Sequence, residues 1–269
     1  MSETGPTLRE HAKLLKEKIE QWKSLEKCPR CLLPENFRDV ELDHTDNCLH
    51  CRSVLELAER NADGSHEQEM LDIIERFKAR ATGDYDVIVC YSGGKDSSFL
   101  LDRFVNTYEL RVLAVTMNTG FNPPKAKRNV KAGIEKLGVD HLWLKPHPKL
   151  FEIYQFGFMT NSGKGLECDV CDLCDGHTRA AVIRVAINMG IPIIVHGADH
   201  FQIVDFKVHK GSSLLIHPDA CWPHVARNRG VFREVYEIPE LTEIEHPPLE
   251  LYPYLYLPYN ENEICEYVE

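Results

Sequence analysis

Hydrophobic and polar positions follow two rhythms along this chain, and the rhythm switches repeatedly. Val87 to Tyr91, Arg111 to Met117, Asp140 to Leu144 and Ile191 to Val195 are short runs rich in apolar residues, the pattern of strands buried in a parallel sheet. Between them the apolar residues recur at helical spacing. Phe99, Leu100 and Phe104 follow the first run, and Ala181, Val182, Val185, Ala186 and Met189 span residues 178–189, which Gly190 ends. Pro123-Pro124 opens a helix that runs to Lys136, with Gly138 as its stop. A strand every 25 or so residues, roughly, with helices between, predicts a Rossmann-like, doubly wound parallel α/β sheet.

The flanks read differently. Leu8, Leu15, Ile19 and Trp22 lie among charges over residues 8–26, an amphipathic helix suited to docking or dimerisation. Residues 53–64 are charged and read as a loop ending in Asn61-Ala-Asp-Gly64; Ser65 and Gln68 then form a capping-box pattern ahead of Met70, Ile73, Ile74 and Phe77. Beyond the fourth run, residues 231–236 predict a strand. Glu245 to Pro258 predicts an extended stretch full of tyrosines that packs on the sheet or on a second subunit, and Asn260 to Glu269 a last helix. The chain divides into residues 1–64, a helix with a small cysteine module, and residues 65–269, the α/β domain.

Chemistry first enters at Ser92-Gly93-Gly94-Lys95-Asp96-Ser97-Ser98, between the first strand and its helix. Two glycines let the backbone approach an anion, the serines add hydroxyl donors, and a helix N-terminus adds partial positive charge. A polyphosphate fits such a turn. The spacing is neither that of a Walker loop nor GxGxxG. In an open α/β sheet the ligand sits beyond the carboxyl ends of the strands, so Thr116, Met117 and Asn118 should lie beside the loop, backbone groups there reading an adenine edge. Gly197 and Asp199, in His196-Gly-Ala-Asp-His200, end the fourth strand, where an acid beside phosphates suits Mg²⁺. His196 and His200 otherwise read as loop histidines.

Seven of the ten cysteines fall in close groups, a pattern that favours metal over disulfides in a chain without an apolar leader. Cys28-Pro-Arg-Cys31 and Cys48-Leu-His-Cys51 are two knuckles suited to structural Zn²⁺, which leaves His44 and His50 as surface residues. Cys168, Cys171 and Cys174 have CxxCxxC spacing, better suited to a [4Fe-4S] cube with one free iron than to zinc. A second zinc site completed by Cys221, or bare thiols, stays open beside that reading, with Cys265 as another possible ligand. Cys90, inside a strand, reads as a small core residue. No apolar run reaches the roughly eighteen residues of a membrane span, so a cytoplasmic protein is expected. The net charge of −11 weighs against an autonomous binder of phosphate backbones.

Ser92-Gly-Gly-Lys-Asp-Ser97 resembles the signature of PP-loop ATP pyrophosphatases, the adenine-nucleotide α-hydrolase group. That resemblance implies cleavage of ATP to AMP and pyrophosphate with adenylation of a substrate oxygen. It assigns the pyrophosphate to Ser92, Gly93, Gly94, Asp96, Ser97 and Ser98, and charge compensation to Lys95 with Mg²⁺ near Asp96 or Asp199. The four-cysteine ribbon and the stretch from Asn129 to Asp140 are similar to N-acetyl sugar amidotransferases of surface-sugar (nonulosonic acid-type) synthesis, which use ammonia from a glutaminase. The stretch from Cys168 through Arg179 and Arg184 to Gly197 resembles the iron–sulfur branch of tRNA thiolation and sulfur transfer. The expected activity is adenylation followed by sulfur transfer at Cys168, Cys171 and Cys174, on a small molecule or tRNA, by a homodimer with a separate sulfur donor. Ammonia transfer by the same activation, or nucleotide binding without turnover, are the alternatives.

Overall fold

The structure, a computed structural model, describes residues 8–35, 42, 47–145, 170–204 and 247–269. Cys168, Cys221, His44 and the strand expected over 231–236 lie outside the described residues. The chain divides into two compact units, Met1–Leu57 and Ala58–Glu269.

In the first unit, α1 (Leu8–Ser24) forms where the amphipathic spacing places it, with Leu14, Leu15, Ile19 and Trp22 exposed. Two isolated antiparallel bridges, Lys27 with Pro34 and Leu42 with Cys48, hold the cysteine segments. α2 (Leu49–Asn61) begins here and ends in the second unit. The loop expected over 53–64 is therefore helical up to Asn61. Its charges are those of a solvated helix, and Val54, Leu55 and Leu57 supply the apolar positions among them.

The second unit is built on a five-stranded, all-parallel sheet: β1 (Val87–Cys90), β2 (Val112–Met117), β3 (Asp140–Leu144), β4 (Ile193–Val195) and β5 (Leu249–Leu251), in the order β3-β2-β1-β4-β5. With its intervening helices it is the Rossmann-like, doubly wound sheet the rhythm predicts. The helices are α3 (Glu67–Lys78), α4 (Lys95–Asp102), α5 (Pro124–Leu137), α6 (Val170–Met189) and α7 (Glu261–Val268). α5 stops at Gly138, whose φ of 64° is the left-handed geometry that glycine adopts without cost. On one sheet face, Ala180, Val182, Ile183 and Ala186 of α6 pack on Ile88, Leu113, Val115 and Ile194. The strand order reverses at β1, so the crevice between the carboxyl ends of β1 and β4 is the switch point where such sheets bind ligands.

Three local expectations are corrected. The capping box does not form: His66 is the residue before α3, without a side-chain cap bond, and the Ser65 N–H donates to Asp63 Oδ1 at 3.0 Å. Glu67 and Glu69 in the first turn meet the helix dipole instead. α6 starts at Val170 rather than near residue 178, because the polar Cys-Asp-Leu-Cys-Asp segment carries no apolar face to announce it. The proline-rich stretch is not extended throughout but contains β5 and a tight 3₁₀ turn, Pro253–Leu255, and Tyr252, Tyr254, Tyr256 and Leu257 are buried. The Tyr254 carbonyl there accepts from Asn61 Nδ2 at 3.1 Å and from His200 Nε2 at 2.9 Å.

Candidate functional site

Cys28, Cys31, Cys48 and Cys51 bring their sulfurs within 4.8 Å of one another. Cys28 Sγ lies 3.8 Å from Cys51 Sγ, and Cys31 Sγ 3.6 Å from Cys48 Sγ. Four sulfurs on a tetrahedron about a zinc ion, each bonded at about 2.3 Å, stand about 3.8 Å apart, so the donor set fits that ion. The first knuckle turns because Leu32 takes a left-handed φ of 60° and its N–H donates to the Cys28 carbonyl at 2.8 Å. Burial pushes the Cys28 thiol up, but N–H groups of Cys31, Cys48 and Arg30 outweigh it and bring it down to about 6. Burial and the neighbouring thiols push Cys51 well above the ordinary thiol range, a repulsion that a dication relieves. His50 is buried in the first turn of α2, correcting its reading as a surface residue.

In the second unit the phosphate-type loop closes on itself. The Ser92 N–H donates to Ser97 Oγ at 3.2 Å, the Gly94 N–H to Ser92 Oγ at 3.3 Å, and Ser97 Oγ to the Gly94 carbonyl at 3.2 Å. Gly93 has φ 75°, and a Cβ there would stand 2.5 Å from the Ala126 carbonyl oxygen and 2.9 Å from Val130 Cγ2. No other residue fits. The carbonyl of Gly93 accepts from Asn129 Nδ2 at 3.0 Å, which ties the loop to α5. The first bond of α4 runs from the Ser98 N–H to the Gly94 carbonyl at 3.0 Å, so the N–H groups of Lys95, Asp96 and Ser97 precede it as free helix-start donors of the kind that bind anions.

Charge is arranged around this turn. Lys95 Nζ contacts Asp96 Oδ2 at 2.8 Å and Glu261 Oε1 at 3.4 Å, and lies 5.9 Å over the Tyr259 ring. Burial would discharge Lys95, but Asp96 and Tyr259 keep it protonated well above its ordinary range. Asp96 Oδ1 is buried without a hydrogen-bond partner among the described residues, an orphaned oxygen that suits a cation ligand. Burial, the Asp96 charge and the Asp199 charge raise Tyr259 to about 12, with Lys95 opposing them, so both carboxylates act on one ring. Asp199 also works locally: its Oδ1 accepts the Gln202 N–H at 2.8 Å at the start of helical residues 200–204. Gly197 lies against the loop, a Cβ there meeting Ser97 N at 3.2 Å.

Thr116, Met117 and Asn118 sit at the carboxyl end of β2, next to β1, as the topology requires. Thr116 is buried and its hydroxyl contacts His141 Nε2 at 2.8 Å; the Met117 carbonyl accepts from Asn122 Nδ2 at 3.0 Å. Cys171 and Cys174 fall in the opening turns of α6.

Sequence reasoning missed one cluster. Cys90 ends β1 and His196 follows β4, and the register of the two strands places them side by side. His196 Nε2 is 2.8 Å from Glu250 Oε1, and Arg179 Nη1 reaches the same oxygen at 3.4 Å. An acid inside Leu249-Glu-Leu251 and an arginine amid the apolar stretch of α6 were the available signals, since charges rarely enter such runs without partners.

No family model and no curated relative matches the chain. Among solved structures, an NH3-dependent NAD synthetase from Campylobacter jejuni is 11% identical over 66% of this chain and 80% of that one, with a TM-score of 0.39. A U34-tRNA thiolase from Methanococcus maripaludis, solved with its [4Fe-4S] cluster, is 15% identical over 89% and 70%, with a TM-score of 0.40. An NMN synthetase from Francisella tularensis is 12% identical over 74% and 80%, with a TM-score of 0.35. Likenesses this distant bear on neither substrate nor reaction; only the residues of this chain can carry those.

Proposed function

We propose that this chain is a PP-loop ATP pyrophosphatase that adenylates a substrate oxygen and then transfers sulfur to the activated carbon. The observation that supports it best is the turn at Gly93: a left-handed glycine walled in by Ala126 and Val130, immediately ahead of a helix start at the switch point of the sheet. ATP binds with its two outer phosphates on Ser92, Gly93, Gly94, Asp96, Ser97 and Ser98. Backbone N–H groups and hydroxyls hold pyrophosphate as it leaves, and Lys95 offsets the charge that develops there. The adenine lies against the backbone of Thr116, Met117 and Asn118, with Gly197 leaving room for the phosphates.

Asp96 and Asp199 would hold Mg²⁺, which supplies charge neutralisation to the phosphates. Cys168, Cys171 and Cys174 would hold a [4Fe-4S] cluster, which when bound supplies an iron open to sulfide. Cys28, Cys31, Cys48 and Cys51 would hold structural Zn²⁺ in a module of residues 1–64, with residues 65–269 as the ATP-binding domain. A net charge of −11 favours a small-molecule acceptor over tRNA. A sulfur-donor protein, a homodimer and a cytoplasmic setting complete the reading.

Mixing the chain with ATP and a panel of carbonyl or carboxylate acceptors is expected to release pyrophosphate and AMP in equal amounts. Lys95→Ala should slow that release by roughly a hundredfold. If no acceptor elicits pyrophosphate, the loop binds nucleotide without turnover and the reading falls. Purified without oxygen, the chain should show broad visible absorption that Cys171→Ala removes along with activity. A colourless enzyme active with ammonia would move the assignment to amide transfer.

A further inference from the structure

Cys90 and His196 are the last residue of β1 and the residue just after β4, on the two strands that flank the switch point. Val89 pairs with Val195 in register, so the next residues along, Cys90 and His196, are neighbours on one face of the sheet, where Cys90 also borders the core that α6 covers. The imidazole is held on several sides. Its Nε2 is 2.8 Å from Glu250, its ring stacks on Tyr252 at 5.1 Å and 20°, and Arg179 braces Glu250 from α6.

Burial by itself would discharge this ring, yet the charges of Cys90 and Glu250 outweigh it and push His196 up to about 9. A cysteine that only fills space needs none of this apparatus. A thiol beside an imidazole that a buried acid orients is the arrangement that makes cysteine a nucleophile. Cys90 is also partly exposed, and it stands two residues before Ser92.

We propose that Cys90 is a nucleophilic thiol whose proton is held by His196, with Glu250 and Arg179 as positioning residues, and that its substrate is the electrophilic carbon activated at the adjoining loop. The choice of substrate rests on the adenylation reading. The proton that the pair shares rests on His196, so a bond forms from the Cys90 sulfur to the activated carbon without a further proton transfer. The bond from that carbon to the AMP oxygen breaks, its electron pair leaving with AMP. No electrons are gained or lost. The incoming sulfur or nitrogen nucleophile then displaces Cys90, whose sulfur takes the bonding electron pair and returns to its place beside protonated His196.

The test alkylates the full zinc-loaded chain with iodoacetamide at neutral pH, without ATP, and reads each cysteine peptide by mass spectrometry. Cys265, also partly exposed, is the internal reference. Cys90 should react at least about tenfold faster than Cys265, and His196→Gln should remove most of that advantage. Glu250→Gln, which keeps the side-chain shape, should slow Cys90 several-fold while leaving Cys265 unchanged, a separation that a purely structural role would not produce. Equal rates for the two cysteines in the unaltered chain overturn the proposal whatever the variants do. Because the reagent needs no nucleotide, a chain that alkylates fast at Cys90 but never releases pyrophosphate keeps the thiol pair and loses its substrate. Pyrophosphate release with an inert Cys90 does the reverse.

Discussion

The Met1–Leu57 unit and the sheet of the Ala58–Glu269 unit reach a defined backbone by opposite means. Around the four thiols, Leu33 and Leu42 are partly buried and Leu14, Leu15, Ile19 and Trp22 of α1 are exposed, so on the proposed zinc reading order there comes from a few directional sulfur ligands. The sheet holds its shape through ladders of hydrogen bonds and through side chains such as Ile88, Leu113, Ile194 and Tyr254, all but sealed from water. The contrast teaches where each region is vulnerable: one to loss of an ion, the other to loss of volume.

If the four thiols hold zinc as proposed, the largest effect should come from removing it. Structural zinc in a module this small supplies on the order of 10 kcal/mol, more than a single core contact can. A strong thiol-compatible chelator, or Cys28→Ser with Cys51→Ser, should therefore abolish amide protection over residues 26–35 and 47–57. Hydrogen exchange reads this directly, with the amides of β1 and β2 as the reference. Protection that survives chelation would mean that the first unit has a core of its own.

The matching change in the second unit is Tyr254→Ala. Tyr254 is fully buried, its hydroxyl is 3.4 Å from the Asp96 carbonyl, and its own carbonyl anchors Asn61 and His200. Removing the ring should cost about 3–5 kcal/mol in a denaturant titration. Tyr254→Phe isolates the hydroxyl and should cost about 1 kcal/mol. Equal losses in the two variants would shift the weight from packing to that one hydrogen bond.

What was legible in the sequence follows the same division. β1 through β4, α5 and α7 announce themselves because each carries its own periodicity, proline or glycine. The four-thiol site was legible because ligand spacing is local. β5 was not, since three residues with a glutamate in the middle have no rhythm; pairing with β4 makes Leu249–Leu251 a strand. The first turns of α6 were hidden by polar residues, and the buried state of His200 depends on a carbonyl 54 positions away. The Gly93 turn could be read because its requirement is steric. The Cys90, His196 and Glu250 cluster could not, because it exists only once three strands lie side by side.

A smaller effect separates charge from volume inside the sheet. Asp86, buried before β1, accepts from Arg111 Nη2 at 2.7 Å and from the Arg111 N–H at 2.9 Å. Burial pushes its carboxyl up, but those bonds and the Arg111 charge outweigh it and hold the group below the usual carboxylate range. A depressed folded-state value means that the contribution is complete above about pH 4, the ordinary range, and drains away as pH falls below it. Asp86→Asn should cost about 1–3 kcal/mol at neutral pH and flatten the acid limb of a stability-against-pH curve. An acid limb that Asp86→Asn leaves unchanged would assign the acid sensitivity to other carboxylates.

The smallest effect tests whether the loop is tuned by an exposed charge at all. Glu261, largely exposed at the start of α7, lies 3.4 Å from Lys95, whereas Asp96 holds the same ammonium at 2.8 Å from a sheltered position. An exposed pair of this kind contributes about 1 kcal/mol or less, so Glu261→Gln should leave stability nearly unchanged. It also competes with an incoming phosphate for Lys95. Its removal should therefore tighten ATP binding about two- to fivefold by calorimetry, more at low salt than at high, because exposed charges are screened. A weaker affinity in Glu261→Gln would reverse the assignment: Lys95 would need its exposed partner to stay aimed at the loop, and the rigid sheet would not be sufficient to place it.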